Sequence, residues 1–261
     1  MQDPTYFTPF FKVHNIPSKF VYFVIDKRGT RNFEEFPIAQ FQYNVYEKEF
    51  FNKTSEDYKK ERSDEKRIKN LLFAGTILQE KGERSKAFDR FLNDVKSEKC
   101  EYYIPLKKGS LNVATKKSKL KKFEEENLKL IEKIQNHKNY KGQVSPEELN
   151  EKFKEFKYGL CLKPVSHCDS LSFKSINYVN VGILPLLEKM YDPDYLQIPK
   201  EIQDKIVINS AEDIDERIKY FNDNPEERKE ILQKLRELFK LDDFIINKNN
   251  IIEESINKLL Q

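Results

Sequence analysis

The chain has 261 residues, room for one large domain or two small ones, and 38% of them are hydrophobic, enough for a sizeable core. Lys and Arg number 47 against 44 Asp and Glu, a net charge of +3, so no global field draws the protein to polyanions and any basic site is local. The 20 Phe and 13 Tyr exclude a disordered chain, three cysteines (Cys100, Cys161, Cys168) exclude a disulfide framework, and no apolar run approaches the ~18 residues of a membrane span.

The N-terminal MQDPTYFTPFFKVHNIPSK has Asp and Pro where a signal peptide carries a basic start and an apolar run, so the expected location is cytoplasmic, unless the chain is the excised catalytic part of something longer. KFVYFVID (Lys19–Asp26) is a β-branched and aromatic run closed by the turn signal KRGT, and it predicts a strand. The aromatic residues that follow, to Phe51, show no clean period. Asn52–Arg67 is almost wholly polar and reads either as a linker or as an exposed helix.

From Ile68 the pattern sharpens. NLLFAGTI is a continuous apolar run ending in Gly75-Thr76-Ile77, as expected of a strand buried on both faces of a parallel sheet. RSKAFDRFLNDVKSEK sets Phe88, Phe91, Leu92 and Val95 at helical spacing, and EYYIP follows as a short strand. Strand, helix and strand in alternation predict a doubly wound α/β sheet. Leu106–Lys122 holds seven lysines and reads as a charged insertion, followed by a helix with Leu120, Phe123, Ile131 and Ile134 on one face. Ser145-Pro146-Glu147-Glu148 is a capping box. Strands are expected at Tyr158–Lys163, from Gly182 onward and at Lys205–Asn209. A helix of about ten residues is expected between the first two of these strands. SAED at Ser210 is a second cap, two helices follow with NPEE at Asn224 opening the second, and an amphipathic helix ends the chain.

Chemistry concentrates in FKYGLCLKPVSHCDSLSFKSINYVNVGILPLL (Phe156–Leu187), where a buried strand gives way to a hydroxyl-rich loop, a helix and a second buried strand. In an open α/β sheet ligands sit outside the carboxyl ends of the strands, and a helix N-terminus there offers free N–H groups and partial positive charge to a phosphate. Ser170, Ser172 and Lys174 add hydroxyl donors and a cation at that end. A similar corner lies upstream, where Gly82 stands among Lys81, Arg84 and Lys86. Two such corners on one sheet fit a nucleoside diphosphate. Each residue also has a plainer reading: Ser170 and Ser172 as helix caps, Arg84 and Lys86 as a solvated first turn, the lysine stretch as a solvated loop rather than a polyanion or membrane contact. His167, Cys168 and Cys161 lack metal-ligand spacing, and Tyr102 and Tyr103 belong to no nucleic-acid recognition signature. No P-loop, GxGxxG or kinase signature occurs.

The segments KNLLFAGTI…GERSKAFDRFL and FKYGLCLK…SFKSINYVNVGILPLL together resemble the donor-binding half of exostosin-like glycosyltransferases. Phe73, Ala74 and Gly75 match that family's strand ending in Phe-Ala-Gly, Arg84 its loop arginine, Tyr158, Leu160 and Cys161 its later strand, Ser172 its serine, and Gly182 and Pro185 its closing Gly-x-x-Pro. Two positions depart: Lys174 stands for an arginine, which keeps the charge but loses the bidentate fork, and Asn177 stands for the glutamate that would hold the donor ribose. Lipopolysaccharide-modifying and O-xylosyl or O-glucosyl transferases share the general layout and are the nearest alternative.

The resemblance implies an α/β fold of GT-B type. The domains would be a reduced N-terminal, acceptor-side α/β portion (residues 1–67), a Rossmann-type nucleotide-sugar domain (68–240) and a C-terminal helix packing back (241–261). It implies an inverting transfer from a UDP-sugar to a hydroxyl of a glycan or glycoprotein, with no metal or other cofactor and no nucleic-acid partner. Donor contacts fall on Gly75, Thr76, Arg84, Ser170, Leu171, Ser172, Lys174 and Asn177, and the base on Asp26, with Glu34, Glu35 and His14 behind it. A solvated turn acid is the plainer reading of Asp26. Small exostosin-like transferases of similar size occur in large algal viruses, some handling xylose, which points to a UDP-pentose. The competing class is a non-catalytic nucleotide- or carbohydrate-binding module derived from a transferase.

Overall fold

The computed structural model describes residues 22–24, 38–40, 60, 62, 67–75, 77, 85–106, 128–162, 173–189 and 198–238. Five strands in the second and larger part of the chain form one all-parallel sheet: β3 (Lys69–Ala74), β4 (Glu101–Tyr103), β5 (Phe156–Cys161), β6 (Leu184–Glu188) and β7 (Val207–Ile208), in the order β4-β3-β5-β6-β7. Their apolar runs are the reason. Leu71, Leu72, Phe73, Tyr158, Leu160, Leu184, Leu186 and Leu187 are buried with no polar alternation, as strands covered on both faces require. A separate pair, β1 (Tyr22–Val24) and β2 (Ile38–Gln40), runs parallel with Tyr22 opposite Ile38. The β1 strand lies inside the run expected at Lys19–Asp26, and β2 in the stretch that offered no period.

Seven helices occur among the described residues: α1 (Ser85–Phe91), α2 (128–135), α3 (Pro146–Phe153), α4 (Phe173–Val181), α5 (Lys200–Ile206), α6 (Ala211–Asp223) and α7 (Pro225–Leu238). Right-handed crossovers moving outward in opposite directions from β3 put α1 and α4 on opposite faces. On one side α1 packs on α6, and on the other α4 packs on α7. The capping box is present: Ser145 Oγ accepts from Glu148 N–H at 3.2 Å, and Glu148 Oε2 accepts from Ser145 N–H at 3.0 Å. Ser210 likewise caps α6 through Asp213 N–H. The free edge of β4 is covered by 139–141, where Tyr102 N–H donates to Asn139 O at 2.8 Å and Lys141 N–H to Tyr102 O at 3.0 Å.

Three expectations shift. Lys205 and Ile206 end a helix instead of opening a strand, because Ile202 and Ile206, four residues apart, are buried on one face of α5 and Gln203 Nε2 donates to Ile198 O at 2.7 Å. Only Val207–Ile208 remain as β7. The strand expected at Tyr158–Lys163 starts at Phe156 and ends at Cys161. Gly182 does not begin β6: its φ of +86° makes it the turn between α4 and β6. The lysine-rich stretch from Lys107 and the expected terminal helix lie outside the described residues.

Two buried arginines fix α4. Arg67 Nη1 donates to Phe153 O (3.0 Å) and Phe156 O (2.6 Å), and its Nη2 donates to Val181 O. Arg236 Nη1 reaches Asn180 O at 3.3 Å and Val179 O at 3.5 Å. Cations thus sit on the last carbonyls of α4, at the negative end of its dipole, and its N-terminus is turned toward the carboxyl edge of the sheet.

Candidate functional site

The chain leaves β3 toward β4 on one side, and returns to place β5 on the other. The reversal of strand order therefore falls between β3 and β5, and the crevice outside their carboxyl ends is the ligand position of such a sheet. Gly75 follows β3 at that point. Its φ is +156°, outside the usual range of residues with a side chain, and its N–H donates to Tyr103 O at 3.1 Å.

Lys174, in the first turn of α4, crosses the same gap. Its Nζ lies 2.6 Å from where a Cβ on Gly75 would stand and 5.3 Å from the centroid of the Phe73 ring. A side chain at position 75 would occupy the ammonium's place, so glycine and lysine are mutually fitted. The ring beneath adds a cation–π contact, of about 0.5–2 kcal/mol.

The face of α4 that meets the sheet is equally specific. Ser175, buried, makes a hydrogen bond with Cys161, the last residue of β5. Tyr178, one turn further, fills the space where Gly159 has no side chain: a Cβ there would meet ring carbons at 2.3 and 2.4 Å. Burial pushes the Cys161 thiol up to about 11, although the Ser175 bond and the Lys174 charge both pull it down. It is a buried small side chain rather than a nucleophile or metal ligand. Asn177 lies three residues beyond Lys174 on the same side of α4 and is half-buried.

Of the expected donor residues, the structure brings Gly75 and Lys174 together and sets Asn177 beside them on α4. Thr76, Arg84, Ser170, Leu171 and Ser172 lie outside the described residues, as do the candidate bases Asp26, Glu34, Glu35 and His14. Lys86 is exposed on α1. The sequence reading missed the Gly159–Tyr178 and Cys161–Ser175 fits. Their signal was a small residue in an otherwise bulky strand and a serine next to the site lysine. Among the described residues no three His, Cys, Asp or Glu side chains gather as a metal-binding group, and no helix is long and apolar enough to cross a membrane.

Comparison with known proteins gives the fold and the family. A T4 phage BGT mutant in complex with UDP-glucose superposes with a TM-score of 0.50 at 13% identity, over 74% of this chain and 50% of that one. T4 phage BGT in complex with UDP and Mn2+ gives the same values. The DNA-modifying enzyme beta-glucosyltransferase, in the presence and absence of uridine diphosphoglucose, gives 0.48 at 12% identity, over 74% and 53%. The chain spans about half the length of these structures. At such identities the likeness concerns the fold, which is that of the GT-B glycosyltransferases. No curated protein matches the sequence. The profile of the glycosyl transferase-like family matches residues 111–244, just over half the chain, from the lysine-rich stretch through β5, α4, β6 and α7. By that match the chain belongs to the glycosyl transferase-like family.

Proposed function

We propose that the protein is a sugar-nucleotide-dependent glycosyltransferase that moves a sugar from a UDP-sugar to a hydroxyl of a glycan or glycoprotein. One observation carries the reading: the Lys174 ammonium lies over Gly75 at the strand-order reversal, beside the N-terminus of α4. A cation and a helix N-terminus at that crevice are what a leaving diphosphate needs, because its charge grows as the glycosidic bond breaks. Family membership supports the class of reaction, and the UDP-glucose and UDP bound to the fold neighbours support the donor class.

The transfer is proposed as a single inverting displacement. The acceptor oxygen attacks the anomeric carbon, the bond from that carbon to the diphosphate breaks on the opposite face, and the acceptor proton passes to a base, Asp26 first and Glu34 or His14 next. Lys174, Arg84, Ser170, Leu171, Ser172 and the N-terminus of α4 are assigned to neutralise the departing UDP, Gly75 and Thr76 to its binding, and Asn177 to donor hydroxyls. No metal is assigned a role. An exostosin-like subfamily, kinship with small viral transferases and xylose as the sugar are the finer parts of the proposal. So are a cytoplasmic location and a division into residues 1–67, 68–240 and 241–261. A binding module without turnover is the second reading, favoured by the neutral Asn177 and the monodentate Lys174 at donor positions.

Thermal unfolding with UDP, GDP, UDP-xylose and UDP-glucose, each with EDTA or Mn2+, tests the donor. A ligand at 100 times its Kd raises stability by about 2.7 kcal/mol. The expected result is a shift with uridine nucleotides that survives EDTA. Lys174→Ala should lower donor turnover about 100-fold and Lys174→Arg should restore most of it. Nuclear magnetic resonance of the product's anomeric proton reports inversion. Binding without turnover on any acceptor supports the module, and no shift with any nucleotide ends the transferase reading.

A further inference from the structure

Arg67 stands two residues ahead of β3 and is 3% exposed, an uncommon burial for a guanidinium. Its donors are spread over three further elements. Nη1 bonds Phe153 O, in the last residue of α3, and Phe156 O, in the first of β5, while Nη2 bonds Val181 O, in the last of α4. The turn after α4 is shaped to the same group. A Cβ on Gly182 would lie 3.2 Å from Arg67 Nη2 and 3.2 Å from both the Cα and the O of Arg62, so the chain entering the sheet passes directly against the end of α4.

The elements gathered there are not held alike. β3 and β5 are paired in the sheet, with Lys69 opposite Phe156, and α3 runs straight into β5. The end of α4 rests on Arg67 and on the longer bonds from Arg236, at 3.3 and 3.5 Å. Of these elements α4 also carries the cation of the crevice: Lys174 lies seven residues before Val181, about 10 Å along the helix axis. A tilt of about 10° about the C-terminal end moves the first turn by about 2 Å, enough to break a charge-assisted hydrogen bond of ~2.8 Å. The Lys174 ammonium is fitted to the gap over Gly75 and to the Phe73 ring, so a shifted helix draws it out of that place.

We propose that Arg67 is a positioning residue for the donor site: by holding the C-terminal end of α4 against the chain that enters β3, it sets where Lys174 stands at the other end. This rests on the sugar-nucleotide reading above. Arg67→Lys keeps the buried charge but puts one nitrogen where the fork placed two. Calorimetric titration of wild type, Arg67→Lys, Lys174→Ala and the double variant with UDP tests it. Arg67→Lys should weaken UDP about 10-fold, and in the Lys174→Ala background the same substitution should change affinity by less than about 3-fold, because the cation it positions is gone. Glu101→Gln, at the amino ends of the same strands but away from α4, should bind UDP as wild type does.

UDP affinity equal to wild type in a folded Arg67→Lys overturns the proposal and leaves the transferase reading standing. So does an equal loss in both backgrounds, which means that Arg67 supports the fold at large, and so does a loss of the same size in Glu101→Gln. Failure of wild type to bind any uridine nucleotide overturns both. Should Arg67→Lys not fold, Gly182→Ala, whose methyl presses on Arg62 and Arg67 from the side of the turn, must show the same Lys174-dependent loss.

Discussion

An alanine at Gly75 meets two separate obstacles. Its φ of +156° disfavours any side chain, which costs about 1 kcal/mol. Its methyl would also stand 2.6 Å from Lys174 Nζ, but that atom ends a flexible chain and moves away cheaply. Gly75→Ala should therefore fold with a loss of about 1–2 kcal/mol in urea titration while UDP binding falls about 10-fold or more, since the displaced ammonium no longer faces the crevice. Equal UDP affinity in a folded variant would detach this lysine from the donor. The thiols make a second residue-level test. Burial raises Cys161 to about 11 and Cys100 to about 12, so at pH 8 only about one Cys161 in a thousand is a thiolate. Alkylation followed by peptide mapping should leave both unmodified in the native state and modify both in urea. Gly75 and Lys174 were each legible in the sequence from local pattern, one closing an apolar run and one opening a helix. Their contact was not, because nothing local records which atom fills the space a glycine leaves.

The fit of α4 on β5 turns on a different glycine. A Cβ on Gly159 would lie 2.3 Å from Tyr178 Cε2 and 2.4 Å from its Cδ2, in a ring wholly buried and packed edge-on against Phe153 at 5.4 Å. No flexible end can yield here. Gly159→Ala should cost about 1–3 kcal/mol by overpacking, more than Gly75→Ala, and it should tilt α4 and so lower UDP affinity only in proportion to that shift. A urea midpoint equal to wild type would show that α4 is less firmly seated than the contact implies. Elements were legible where period and punctuation agreed. The box at Ser145 set the start of α3, and the apolar runs set β3, β5 and β6 to within three residues. At Lys200–Ile208 a buried pair four residues apart and a β-branched run overlapped, and helix took the first part of the run. The orientation of α4 was not legible, because Arg67 and Arg236, which hold its last carbonyls, lie far from it in sequence and read as surface charges.

Across the whole molecule the sheet separates stability from chemistry by its two edges. The carboxyl edge carries Gly75 and Lys174. The amino edge carries an ion cluster: Lys69 Nζ, at the start of β3, lies 2.7 Å from both Glu101 Oε1, at the start of β4, and Glu155 Oε2, just before β5. The Tyr103 hydroxyl donates to Glu101 Oε2 at 2.5 Å. Burial works against both charges, yet the Lys69 and Tyr103 bonds hold Glu101 below its ordinary 4.5, and the two carboxylates hold Lys69 above its ordinary 10.5. A depressed carboxylate stabilises the fold above its unfolded value and loses that contribution as pH falls through the folded one. A raised lysine does so below its unfolded value and loses it as pH rises. The cluster therefore contributes fully between about pH 5 and pH 10. Glu101→Gln should cost about 1 kcal/mol at pH 7, and the gap to wild type in urea titrations should close steadily below pH 4.5. A gap that stays constant down to pH 3 would mean that packing at position 101, not its charge, supports the edge. Because the cluster faces away from the crevice, UDP affinity in the same variant should equal wild type at pH 7. A variant that lost both would show that the cluster also shapes the donor site.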